Sequence, residues 1–292
     1  MPAVSRKLIT AAVTVSAIAG GVALGGCGAT KTIGGVVDPV ARAAEVTSHS
    51  PGYRLSGTIT VTGAVSTVRG TMSGVIDTAN HTGSLTMHET VLGHSLAIAE
   101  RLAGTTIYMT APGQPALARV TGGKQWLKMD LSRALGTLGF GGLPTQTTDP
   151  SQFVQYLRAV GAKTTRVGTE TVDGTEATHY HAVIDLDKYP QLLPPARRAG
   201  AAKGIASIET VTGSHTLPMD VWIDSRQLVR RMSFAFNECV QNQHTTMAMT
   251  MDMSDYGQQT VAPPPAPAQT YDITPLIVKA IKSVKLSCGA SA

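Results

Sequence analysis

Apolar side chains recur at every second position through most of this chain, and that period limits the fold before anything else does. Tyr53, Leu55, Gly57, Ile59 and Val61 alternate with Arg54, Ser56, Thr58 and Thr60. Successive side chains of a strand point to opposite faces, so such a run makes a half-buried strand. The same alternation runs through residues 65–77, 83–91, 94–101, 105–110, 117–120 and 125–129. Turn chemistry separates the runs at Asn80-His81, Gly93, Gly104 and Gly122-Gly123. A second set covers 164–171 and 175–186 around Asp173-Gly174, 215–224 and 228–236 around Ser225-Arg226, and 243–254. Asp-Gly between alternating runs is a strong hairpin signal. Such runs with tight joints predict antiparallel meanders.

Helical signals are fewer. Asp38-Pro39 has the form of an N-cap followed by proline at the first helical position, and a helix is expected to about Ser48. Residues 131–148 are rich in Gly and Leu and read as a mobile loop or short helix. Asp149-Pro150-Ser151 opens a helix over 152–160, with Phe153, Tyr156, Leu157 and Val160 on one side. Residues 188–203 form a proline-interrupted helical stretch, and Asp272 caps a last helix near 275–283. The expected fold class is therefore α+β: a strongly curved antiparallel β-sheet, a half-barrel, with helices covering its concave face. A sheet must bury its apolar face against another layer. Incomplete filling between the layers leaves an apolar cavity.

The amino terminus decides where such a domain resides. Arg6 and Lys7 precede an uncharged run, residues 8–24, which ends in Leu24-Gly25-Gly26-Cys27. A basic start, an apolar core and small residues at the cut make a secretory signal peptide. Cysteine after the cut matches a bacterial lipobox, in which the thiol is acylated and becomes the first mature residue. The alternatives are a plain signal peptide with a chance cysteine, or a membrane span, for which a run of about 17 residues is marginal. Two or three acyl chains, at roughly 0.8 kcal/mol per buried methylene, anchor stably where one does not. Residues 1–26 are then the signal peptide and 27–37 a lipidated tether. Residues 38–260 are the binding domain. A proline-rich linker and a C-terminal segment packed back on the domain fill 261–292.

Charge and cysteine usage agree with export. The formal net charge is +5, about +3 once Arg6 and Lys7 are removed, too mild to argue for nucleic acid. Of three cysteines, a lipidated Cys27 leaves Cys239 and Cys288 as an even pair in an oxidising compartment. Their disulfide would close a loop of about 50 residues, worth roughly 4 kcal/mol in the chain-entropy model. The alternative is two buried thiols.

No catalytic constellation is present: there is no Gly-x-Ser-x-Gly elbow and no phosphate-binding loop. His88-Glu89 resembles the start of a zinc-protease motif, but the next histidine is His94, and helical ligation needs a spacing of four. His179, His181, Asp185 and Asp187 share one strand face, which could ligate a metal or simply be solvated. Met247, Met249, Met251 and Met253 alternate with Thr246, Ala248, Thr250 and Asp252, giving one strand a wholly thioether face. Met232, Phe234 and Phe236 of the preceding strand could share it. Methionine suits a surface that must fit variable apolar shapes. The face is either core or ligand-lining. Arg197, Arg198 and Lys203, and Lys279, Lys282 and Lys285, form small basic clusters that touch anionic headgroups or solvate helices.

The lipobox through Cys27, the strand Arg54 to Val61, the Asp149-Pro150-Ser151 helix and the hairpin from Pro218-Met219-Asp220-Val221-Trp222-Ile223-Asp224 into Leu228-Val229-Arg230-Arg231 resemble the actinobacterial LppX/LprAFG lipoproteins, which share the LolA-like lipoprotein-carrier architecture. The polyproline segment and the tail bearing Cys288 depart from that pattern. The resemblance implies a half-barrel that holds acylated lipids or glycolipids and aids their transfer across the cell envelope. With no nucleophile, base or ligand set assembled in the sequence, no enzyme activity and no cofactor are expected. The expected partners are a membrane lipid or glycolipid, the plasma membrane through acylated Cys27, and an envelope transport protein. The alternative is a non-enzymatic envelope scaffold with a closed core.

Overall fold

In a computed structural model of the chain, the described residues are 38–63, 67–91, 94–112, 119, 121–137, 163–193, 195–240 and 243–283. The strands are β1 (Gly52–Gly63), β2 (Thr67–Asp77), β3 (Thr82–Val91), β4 (His94–Ala103), β5 (Thr106–Thr110) and β6 (Trp126–Asp130). They continue as β7 (Lys163–Val172), β8 (Thr175–Asp185), β9 (Thr216–Asp224), β10 (Val229–Val240), β11 (Gln243–Ser254) and β12 (Thr270–Asp272). The helices are α1 (Pro39–Ser48), α2 (Leu131–Thr137), α3 (Tyr189–Leu192), α4 (Pro195–Thr212) and α5 (Thr274–Ser283).

All twelve strands join one curved open sheet in the order β12-β6-β5-β4-β3-β2-β1-β11-β10-β9-β8-β7. Two meanders, β1 to β6 and β7 to β11, meet along the antiparallel β1–β11 pair, where Val61 faces Met247 and Leu55 faces Met253. Only β12 runs parallel to its neighbour, β6. The α+β half-barrel expected from the alternation is the fold observed.

One face of the sheet carries the core, including Leu55, Ile59, Leu85, Leu102, Ile107, Ile184, Val221, Met232 and Met249. Helices α1 and α4 pack on that inner face over β9 and β10. Asp38 caps α1 by accepting from Val40 N at 2.8 Å and Ala41 N at 3.2 Å. Its other oxygen accepts from Thr164 Oγ1 of β7. Thr47, fully buried, accepts from Val229 N where a bulge interrupts the β9–β10 ladder. Burying that bulge without a partner would cost a hydrogen bond, so α1 is fixed both at its start and along its inner face.

Three departures from the sequence pattern have physical causes. The helical stretch expected to end near Lys203 runs on to Thr212 and stops at Gly213, whose φ of +67° gives the left-handed C-cap. The buried Gly204 does not break it: a glycine inside a helix costs only about 1 kcal/mol relative to alanine, and α4 is held by its packing on β10. Arg119 is helical where a strand was expected, and the rest of 117–120 lies outside the described residues; Arg is a good helix former. β12 follows four prolines, Pro263, Pro264, Pro265 and Pro267, and has too few residues to show a period of its own.

Candidate functional site

The inner face is built from the period-two positions of every strand, and its middle is the methionine stripe. Met247, Met249, Met251 and Met253 face Val61, Ile59, Gly57 and Leu55 on one side. On the other, Met247, Met249 and Met251 face Phe236, Phe234 and Met232. The four stripe methionines are 1–4% exposed and belong to the continuous core, as do Met232 and Phe234, while Phe236 is half-buried against it. The Phe234 and Phe236 rings lie nearly parallel, 6.3 Å apart. All seven residues named from the sequence are therefore brought together on one surface.

Sequence reasoning missed two residues on that surface. Leu85, Met87 and Glu89 of β3, and Leu96, Ile98, Glu100 and Leu102 of β4, share the apolar phase. Glu89 is 6% exposed and Glu100 5%. Glu89 sits between Gly70 and Leu96, and Glu100 between Leu85 and Met109. Glu89 Oε1 and Glu100 Oε2 are buried without a hydrogen-bond partner. Burial, reinforced by the charge of Glu89, pushes the Glu100 carboxyl up to about 7; burial also raises that of Glu89. The signal was visible: each acid occupies a position that the alternation assigns to the apolar face.

The other candidates resolve differently. His88 is exposed and Glu89 buried, so the two point to opposite faces and cannot share an ion. His179 and His181 do not join Asp185 and Asp187. His179 lies 3.0 Å from Glu170 and 2.9 Å from Asp220, and His181 is 3.1 Å from the same Asp220 oxygen. His179 stacks on Trp222 at 4.1 Å, and Trp222 donates to Glu170. Arg231 lies over the other side of this group and holds Asp252 with two hydrogen bonds. Asp185 pairs with Lys188, whose hydrogen bond holds its carboxyl below the usual range. Asp187 and Glu209 flank His215, and the Asp187 hydrogen bond raises that imidazole. These are hydrogen-bonded networks of exposed and half-buried side chains, and among the described residues no group of three His, Cys, Asp or Glu is placed to hold a metal.

Cys239 is buried near the end of β10, its Sγ 3.7 Å from His244 Nε2. Cys27, Cys288, the 152–160 helix and Lys285 lie outside the described residues. Arg198 donates to Leu193 O, while Lys203, Lys279 and Lys282 are exposed. A polar pocket of about 290 Å³ lies beyond the end of the stripe, walled by Asp173, Arg226, Arg230 and Tyr256. Among the described residues no helix is long and apolar enough to cross a membrane.

No family model matches the chain. An uncharacterized 31.2 kDa protein of Streptomyces griseus, from the rplA–rplJ intergenic region, is 29% identical over 170 residues, which are 56% of this chain and 52% of that protein. The chain thus matches about half the length of that relative. Similar solved structures include a lipoprotein and a lipoprotein-sorting protein domain. The Mycobacterium tuberculosis lipoprotein LppX gives a TM-score of 0.43 at 13% identity, over 77% of this chain and 98% of LppX. LprF from Mycobacterium bovis gives 0.37 at 13% identity, over 78% of this chain and 95% of LprF. A lipoprotein-sorting protein domain from Vibrio parahaemolyticus gives 0.27 at 9% identity, over 77% and 92%. These likenesses are distant, and the chain's own inner face carries the functional reading.

Proposed function

We propose that this protein is an acylated lipoprotein of the cell envelope that holds acylated lipids or glycolipids against its inner face and aids their transfer. The observation that carries the reading is the methionine stripe: four thioethers in strict alternation, flanked by Met232, Phe234 and Phe236, at the middle of an open curved sheet. Unbranched, polarizable side chains re-pack around chains of variable shape more easily than β-branched ones do. Acylation of Cys27 keeps the domain beside the membrane from which such a ligand is drawn. The role is non-catalytic, with no cofactor, and the receiving partner is an envelope transport protein.

The nearly complete burial of those methionines favours a second reading, a tethered scaffold whose core is closed. The two differ in mass spectrometry of the native protein purified without detergent. Co-purifying acyl lipids support the carrier, and a clean protein mass from the native host removes it. Met249→Asp separates the readings a second way. In a carrier it lowers lipid binding and spares the thermal transition; in a closed core it abolishes the transition.

A further inference from the structure

Among the described residues Glu89 and Glu100 are the fully buried acids in the inner-face phase; Glu238, half-buried at the end of β10, shares that phase but accepts from Thr245 Oγ1, whereas the fold gives neither Glu89 nor Glu100 a full complement of partners. Each buries one carboxyl oxygen that no group satisfies. An unsatisfied buried acceptor costs about 1–3 kcal/mol, and more when charged. The basic residues of the neighbouring strands do not help. Arg69, Arg101 and Lys128 occupy the alternate phase, opposite Thr90, Ser84 and Tyr108, and Arg101 lies over Trp126 on the outer side. Two buried acids are thus retained on a greasy surface with no counter-ion among the described residues, whereas Glu170, Asp220, Asp224 and Asp252 of the same sheet each meet an arginine or histidine side chain.

We propose that Glu89 and Glu100 form a polar recognition point within the lipid site, which takes the hydroxyl groups of a sugar or polyol headgroup. The inference rests on the lipid-binding reading above and names the class of ligand. Hydroxyls fit because they donate and accept at once. The register sets the backbones of the two acids four residues apart along the strands, about 14 Å at 3.4 Å per residue, so each meets a different hydroxyl of one headgroup; burial keeps Glu100 partly protonated near neutral pH, able to donate as well as accept. An ammonium headgroup brings three donors and no acceptor and would bind only by driving both acids to ionise, which burial opposes. A divalent cation would need further ligands, and among the described residues no third His, Cys, Asp or Glu joins the two. Spacing also fits one ligand. β3 is three strand intervals from β11, about 14 Å at 4.7–4.9 Å each. A lipid whose headgroup sits at Glu89 therefore lays its chains across β2 and β1 onto the methionine stripe.

The test uses the full chain and lipids with identical dioleoyl chains: a monogalactosyl diacylglycerol, a phosphatidylcholine and a phosphatidylethanolamine, offered together in mixed vesicles. Lipid carried by the re-isolated protein is quantified by mass spectrometry. The wild type takes the galactolipid over phosphatidylcholine by at least about tenfold, which is about 1.4 kcal/mol. The Glu89→Leu/Glu100→Leu double variant loses that preference and carries the same total lipid. The Glu89→Gln/Glu100→Gln variant keeps the preference, since amides also donate and accept. A galactolipid preference that survives both leucines overturns the inference and leaves the carrier reading standing. So does a wild-type preference for phosphatidylethanolamine that the glutamines abolish, which makes the site a cation site. A wild type that carries none of the three lipids overturns the carrier reading and this inference with it. Both double variants are checked by thermal melting; leucine at a buried acid position relieves desolvation, so each is expected to melt at or above the wild type.

Discussion

Replacing Glu100 by glutamine should make the protein more stable at alkaline pH and leave it nearly unchanged in mild acid. Glu100 faces Leu85 of β3 and Met109 of β5, with Glu89 acting on it from the same face, and the adjacent Arg101 side chain lies on the opposite face. Burial, then the Glu89 charge, lifts its carboxyl from 4.5 to about 7. A raised carboxyl means the folded protein holds a proton that the unfolded chain has already lost. Stability from that proton is complete below pH 4.5 and is lost as pH climbs through 7. At about 1.4 kcal/mol per tenfold change in proton affinity, the loss is on the order of 3 kcal/mol. Glutamine is nearly isosteric, hydrogen-bonds on both sides and cannot ionise, so it escapes this loss. Urea unfolding at pH 5 and pH 8, at one ionic strength, gives the free energies by linear extrapolation. The variant should gain about 2–3 kcal/mol on the wild type between those two pH values. Glu176→Gln, at an exposed position on β8, should gain nothing. Equal pH slopes in wild type and Glu100→Gln would refute the placement of Glu100 in the dry interior.

Gly74→Ala should destabilise the protein by about 1–3 kcal/mol, because a Cβ there would lie 2.1 Å from Ser84 O and 2.8 Å from Leu85 Cα, and backbone must move. Gly168→Ala, with nothing within 4 Å, should change stability by less than about 0.5 kcal/mol in the same urea titration. Cys27→Ala should move the protein from the membrane pellet to the soluble fraction, and retention in the pellet would contradict acylation at this residue. Cys239 and Cys288 should both resist alkylation in the denatured, unreduced chain. Cys239→Ser should free one thiol and cost roughly 2–4 kcal/mol; two reactive thiols in the wild type would rule out the bridge.

Local chemistry made the strands and hairpins legible. Asp173-Gly174 turns β7 into β8, and the alternation of β11 put all four methionines on one face. What joins the meanders was not legible. β1 and β11 are nearly two hundred residues apart in sequence, about 190 at the middle of the pair, and no turn residue encodes a contact that only the closed set of strands creates. The partners of His179 and His181 come from β7 and β9, so a search along β8 alone directed attention to Asp185 and Asp187. Glu89 was legible and passed over. Its neighbour His88 invited a motif reading, although the strand period already separated the two residues onto opposite faces. An acid in the apolar phase of a strand was the better signal.

The sheet's failure to close is itself encoded, and it bears on how a ligand reaches the inner face. A barrel would need β7 and β12, the two ends of the strand order, to pair. β7 offers ten residues, but its ladder is broken between Arg166 and Gly168, and Val167 is left 58% exposed beside the break. A bulge twists an edge away from further pairing. β12 offers three residues. It cannot lengthen backwards, because Pro263, Pro264, Pro265 and Pro267 lack the N–H that a ladder requires. It cannot lengthen forwards, because Asp272 accepts from Thr274 N and starts α5 at once. Lys124 Nζ on Ala268 O and Asp130 N on Thr274 Oγ1 then fix this segment along β6. Three residues cannot zip ten, so the two edges stay apart whatever the curvature between them. Among the described residues α1 and α4 cover the inner face over β9 and β10, and no β7–β12 ladder seals the sheet around it. That is the architecture a protein needs if an acyl chain is to enter and leave without the sheet itself coming undone.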